Sequence, residues 1–145
     1  MPEKNVIICF FIFGFFAFFT RIFSTFLPNE ITMFLIPIFE EFCKFLSICL
    51  SNSGITGIFY TTIFATDEFL LYITKYHHIV NIQFVLFRLT CIIFHLFLFS
   101  IQYLFYRISL KFNTQALILY GFIMSCLIHL YWNFHFGSVV LRLFI

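Results

Sequence analysis

Two adjacent carboxylates, Glu40 and Glu41, stand in the middle of an apolar run, Pro37-Ile38-Phe39-Glu40-Glu41-Phe42-Cys43-Lys44. Lys44 follows one helical turn after Glu40 and three residues after Glu41, so it can pair with either. A structural ion pair locking this helix to a neighbour needs one acid and one base. The second glutamate is left over, which tips the reading towards function. Glu68 closes a second group, Phe64-Ala65-Thr66-Asp67-Glu68, and shares a helical face with Gly57 and Thr61. Asp67 points elsewhere and reads as solvated near the membrane surface. Arg88 and His95 are seven residues apart, two helical turns, and therefore lie on one face. His129 and Asn133 are related as i and i+4, again one face, while Trp132 and His135 read as interfacial. A single buried histidine is usually a hydrogen-bonded core residue, so His95 alone carries little weight.

Depth gives these groups a common address. Glu40 and His95 fall near the midpoints of their apolar runs. Glu68 and His129 are offset from theirs by roughly 5 Å at the helical rise. If the helices alternate in direction, both offsets point to the same side. Glu40, Glu68, His95 and His129 then share one layer. Imidazoles and carboxylates in one layer suit a divalent metal such as Zn²⁺, which takes N and O ligands and keeps a position for water. A remaining glutamate can take a proton from that water.

The elements that must hold this layer are membrane helices. Of 145 residues, 63% are hydrophobic and 10% charged, against about half and about a quarter in soluble domains. Phe alone occupies 27 positions. A core of this size cannot hide them, so lipid must be part of the solvent. The net charge of +2, with no basic cluster interleaved with aromatics, excludes nucleic acid as a partner. Five cysteines, Cys9, Cys43, Cys49, Cys91 and Cys126, lie inside apolar runs without a C-x-x-C pair and read as packing residues. Met1 to Thr20 lacks a small-x-small cleavage site before Arg21 and reads as a retained span.

Punctuation divides the chain into five stretches of spanning length, at about 5–27, 31–50, 55–74, 82–106 and 114–136. The breaks fall at Pro28-Asn29-Glu30, Ser51-Asn52-Ser53-Gly54, Lys75-Tyr76-His77-His78 and Arg107 to Asn113. The runs are continuous where a membrane barrel would alternate. The expectation is an all-α, polytopic transmembrane helical bundle, one domain over residues 1–145. Lys4, Arg107 and Lys111 on one side against Lys75 and Arg142 on the other weakly favour a cytoplasmic N-terminus.

In this order the clusters resemble the PrsW family of intramembrane proteases. Glu40-Glu41-Phe42-Cys43-Lys44 is similar to that family's E-E-x-x-K motif. Gly57 to Glu68, ending Phe-Ala-Thr-Asp-Glu, resembles its second motif, a Gly followed by F-[AG]-x-x-E-N. Arg88 to His95 resembles its Arg-then-His helix, and His129 to Asn133 its closing H-x-x-x-N. Together they cover about residues 37–133. The family shares a superfamily with the type II CAAX-prenyl proteases and a non-proteolytic subunit of γ-secretase. The resemblance implies a helical membrane fold with a water-accessible cavity, in the plasma membrane of a prokaryote. It implies hydrolysis of a peptide bond in a membrane-anchored protein substrate. It makes Glu40 the general base supported by Glu41, with Lys44 holding the glutamates ionised. Glu68, His95 and His129 would bind the metal or orient its water, and Asn133 would donate to the oxyanion. Phe69 departs from the pattern, standing where the second motif carries Asn. The chain is also short for the family, so that substrate docking surfaces would be either missing or supplied by a partner subunit.

Two other classes fit parts of the pattern. A non-catalytic scaffold or chaperone on the same fold would explain Phe69 and the short chain, but has little need of paired acids. A proton- or ion-coupled transporter would use Glu and His within spans, but no inverted repeat or broken helix pair supports it.

Overall fold

The computed structural model describes residues 26–137, with scattered positions between 7 and 22. Most of the first expected span, 5–27, lies outside the described residues, as do Cys9 and the tail containing Arg142. The described chain is all-helical. Four helices follow one another: α1 (Asn29–Ser51), α2 (Gly54–Lys75), α3 (Ile82–Phe112) and α4 (Ala116–Trp132). A 3₁₀ turn, His77–Ile79, joins α2 to α3, and a π-helical turn, Asn133–Gly137, follows α4.

Local chemistry sets each helix end. The Pro28 carbonyl accepts from both the backbone N–H and the hydroxyl of Thr32, opening α1. Asn52 ends α1 in the left-handed region at φ 50°, which Asn tolerates better than most residues. Ser53 then accepts from the Thr56 N–H to cap α2, and Asn81 accepts from the Phe84 N–H at 2.8 Å to cap α3. Asn113, left-handed at φ 51°, ends α3. The helix therefore runs beyond the expected end at 106. Arg107 and Lys111 are good helix formers, and the Arg107 guanidinium reaches back one turn to the Tyr103 hydroxyl.

Short connections make successive helices antiparallel, and they close into a ring in the order α1–α2–α3–α4, with α4 back against α1 and α3 touching α1 across the middle. Small residues let the backbones approach. A Cβ added at Gly121 of α4 would lie 2.6 Å from the Cβ of Phe105 on α3. One turn on, the Ser125 hydroxyl donates to the Leu98 carbonyl at 3.2 Å. At the level of Phe105, the neighbouring Tyr106 hydroxyl donates to Asn52 Oδ1, tying α3 to the α1–α2 turn.

Polarity is distributed inside out. Glu41, Lys44, Ser47, Arg88, His95, Gln102 and His129 are buried, whereas every helix turns Phe, Ile or Leu outward, among them Phe34, Phe59, Ile93 and Leu127. Two helical segments, Ile82–Phe112 and Ala116–Phe136, are long and apolar enough to cross a membrane. At 31 residues, α3 is about 46 Å long at the helical rise, more than a bilayer core requires. α1 and α2 have 23 and 22 residues but are diluted by charged and hydroxyl groups, buried at Glu40, Glu41, Lys44, Ser47 and Thr61 and exposed at Thr62, Thr66 and Thr74.

The Gly121–Phe105 approach leaves no room for a methyl group, and a β-carbon so close to the α3 backbone cannot swing away. Gly121→Ala is expected to destabilise the bundle by about 1–3 kcal/mol, read as a lower thermal midpoint in detergent. An unchanged midpoint would contradict the close packing of α3 on α4.

Candidate functional site

One face of α1 carries Pro37, Glu40, Glu41, Lys44, Ser47 and Ile48, spaced as i, i+3, i+4, i+7, i+10 and i+11, and all are buried. Pro37 lacks the N–H that would bond the Met33 carbonyl, so the ladder is interrupted one turn before the acids. α3 presents a second polar stripe with a strict seven-residue repeat: Arg88, His95, Gln102 and Ser109, each buried. The buried face of α4 is Gly121, Ser125, Cys126 and His129.

Glu41 is the hub where these faces meet. It is 0% exposed. Its Oε1 accepts from Lys44 Nζ at 2.5 Å and from His129 Nδ1 at 2.8 Å. Its Oε2 accepts from Gln102 Nε2 at 2.8 Å, and the same amide nitrogen reaches the Glu41 carbonyl at 3.3 Å. Three donors from α1, α3 and α4 thus converge on one carboxylate. Lys44, 1% exposed, also donates to His95 Nδ1 at 3.1 Å. An ammonium only donates, so Nδ1 of His95 must be the bare nitrogen and Nε2 must carry the proton. That proton goes to Glu68 Oε2 at 2.9 Å. Glu68 Oε1 accepts from Arg88 at 2.8 Å, and the Arg88 guanidinium lies 3.7 Å above the Tyr72 ring.

Glu40 is treated differently. It is 6% exposed, yet its carboxylate accepts no hydrogen bond among the described residues. Its Oε2 faces His129 Nε2 at 3.6 Å, too long for a hydrogen bond. In a neutral His129 whose Nδ1 proton goes to Glu41, Nε2 is the lone-pair nitrogen. A carboxylate and an imidazole lone pair then confront each other in a buried place, an arrangement that repels unless a proton or a metal ion lies between them. Ligand atoms from Glu40, His95 and His129 all lie within 4.8 Å of one another. The two imidazoles meet edge to face at 5.1 Å. Aromatic rings wedge them: Phe64 against His95, and Phe94, itself stacked on Trp132 at 4.3 Å, against His129.

The other residues singled out in the sequence fall as follows. Glu68 belongs to the same polar cluster but is held by Arg88 and His95 and is not one of the three converging groups. Asn133 begins the π-helical turn, half-buried, with no side-chain hydrogen bond to the site among the described residues. Asp67 and Phe69 are half-buried, and His135 is exposed with its ring stacked on Tyr131. Cys43, Cys91 and Cys126 are buried free thiols, and Cys49 is exposed. Gln102 and Tyr72 were not singled out. The signal for Gln102 was present, because it continues the Arg88–His95 spacing by another seven residues.

With this geometry in hand, comparison with protein-family models, curated proteins and solved structures finds no match.

Removing one partner of a buried ion pair strands the other. Lys44→Met is expected to destabilise the fold by about 3–5 kcal/mol, with part of the loss recovered in the Glu41→Gln/Lys44→Met double variant. Thermal unfolding of the detergent-solubilised protein measures both. A tolerated Lys44→Met would contradict the hub.

Proposed function

We propose that this chain is a multi-pass integral membrane hydrolase, a PrsW-like metal-dependent endopeptidase acting on a membrane-anchored protein substrate. The inside-out distribution of polarity supports lipid as the outer solvent of the four described helices; a further span at about 5–27, five in all, rests on the apolar sequence there. Charged groups inside such a bundle are costly and mark function by default. The observation that carries the reading is the open Glu40 carboxylate facing the bare Nε2 of His129 at 3.6 Å. Two ligands on one Zn²⁺ at about 2.0–2.1 Å stand about 3.4 Å apart at the tetrahedral angle. The separation is therefore long for a hydrogen bond and near that of two ligands sharing a metal. Behind it, Glu41 accepts the Nδ1 proton of His129, the carboxylate–histidine arrangement that orients metal ligands.

Glu40, His95 and His129 would hold the metal, which when bound supplies Lewis acidity towards water and the substrate carbonyl. His95 would enter the set through Nε2 as a neutral imidazole, its Nε2 proton released to solvent while Lys44, which now donates to Nδ1, passes a proton to that nitrogen and becomes its acceptor. Glu68 Oε2 would then be without a donor, unlike either oxygen of Glu41, and would be the oxygen open to a proton from the attacking water. The sequence motif alone gives the base role to Glu40 and a ligand role to Glu68; the hydrogen bonds favour the exchange. Glu41 cannot be the base, because Lys44, His129 and Gln102 occupy both its oxygens. Arg88 keeps Glu68 aimed at the site. Asn133, one turn beyond His129 at the wider π-helical turn, is the candidate oxyanion donor.

The alternative is a scaffold on the same fold. The observation in its favour is that both ring nitrogens of His95 are already engaged, as in a purely structural network. Metal binding separates the two. A variant lacking the exposed His77, His78 and His135 removes adventitious surface ligands, and is expected to bind about one Zn²⁺ per chain. Glu40→Ala and His129→Ala introduced into it are expected to lower affinity more than 100-fold. The same substitutions should abolish cleavage of a single-span peptide co-reconstituted in bilayers and followed by mass spectrometry. Absence of Zn²⁺ binding, or cleavage unaffected by these changes, would leave the scaffold.

A further inference from the structure

Gln102 lies on α3 two turns beyond His95, 2% exposed, and bonds Glu41 rather than any of the three converging groups. Its amide nitrogen makes two hydrogen bonds, both to Glu41: one to Oε2 at 2.8 Å and one to the main-chain carbonyl at 3.3 Å. Its amide oxygen is buried without a partner. A packing residue at this position would be apolar, since an unpartnered buried carbonyl is destabilising. The reversed amide would set that oxygen against two oxygens of Glu41, so the orientation is fixed by Glu41 alone.

The consequence is transmitted to His129. A carboxylate held by only one oxygen can turn about its terminal torsion, which is broad. Lys44 and His129 both bind Oε1, and neither restrains Oε2. Gln102 pins Oε2 from the opposite helix and so fixes the carboxylate plane. Only in that plane does Oε1 meet the Nδ1–H of His129 and leave Nε2 bare towards Glu40.

We propose that Gln102 is a positioning residue that selects the Nδ1–H tautomer of His129 through Glu41, and thereby sets the metal affinity of the site. The proposal rests on the metal-dependent reading for its second half only; the tautomer does not require a metal.

The test uses the full chain in detergent, labelled with ¹⁵N-histidine, and compares wild type, Gln102→Leu and Gln102→Asn. Metal-free wild type should show His129 as a single Nδ1–H tautomer in its ring ¹⁵N shifts. Gln102→Leu should populate the Nε2–H tautomer substantially and weaken Zn²⁺ binding about 10–100-fold, the usual effect of losing an outer hydrogen bond to a ligand. Gln102→Asn, one methylene shorter but still an amide, should fall between and guards against failure of the leucine variant to fold. An unchanged tautomer in folded Gln102→Leu or Gln102→Asn would overturn the proposal. Wild type that binds no Zn²⁺ would instead overturn the metal reading, while the ¹⁵N shifts still decide the role of Gln102.

Discussion

A carboxylate with no access to water keeps its charge only if the protein supplies what water would have supplied. Glu41 is in that position, and the donors that satisfy it come from three different helices. Leaving such a charge uncompensated is worth about 3–5 kcal/mol, a large fraction of the stability of a small fold. The requirement therefore constrains the rotation of α1, α3 and α4 about their axes. Lys44 must lie one turn from Glu41, and Gln102 and His129 must face inwards at the same level. Once they do, His95 and Arg88 are brought in by their place on the α3 stripe. Glu68 follows as their acceptor. Apolar packing is non-directional; this polar network provides the register that the Phe-rich outer faces cannot.

The same network creates the asymmetry between two neighbouring acids. Successive residues on a helix are turned by about 100°, so Glu40 and Glu41 cannot both face the same donors. Glu41 receives all of them, and Glu40 is left without a hydrogen bond opposite a bare imidazole nitrogen. One acid organises the interior and the other remains available for chemistry. The proposed hydrolase would use both, which would account for a doubled glutamate where a structural pair needs one.

Much of this was legible in the sequence because it was local. Pro28, Asn52-Ser53 and Asn81 act within a turn of themselves, and the helix ends follow them closely. Glu40, Glu41, Lys44, Glu68, Arg88, His95 and His129 stood out because each interrupts an apolar run. The end of α3 was less legible: Arg107 and Lys111 look like loop residues by charge but propagate a helix by propensity. The division of labour at the site was not legible. It depends on which of two adjacent glutamates faces α3 and α4, and helix rotation is decided by packing across the bundle. Gln102 was missed because an uncharged amide in an apolar run carries no alarm, although its seven-residue spacing from His95 was in view.

The central claim is that Glu40, His95 and His129 form one metal-binding set inside the bundle. X-ray absorption at the zinc edge, on the variant lacking the exposed histidines and loaded with one equivalent, reports the ligands directly. The account predicts two imidazoles with oxygen ligands at about 2.0–2.1 Å, and a loss of one imidazole signal or of the metal itself in His129→Ala. A zinc ion with no imidazole in its shell, or a shell unchanged by His129→Ala, would contradict it.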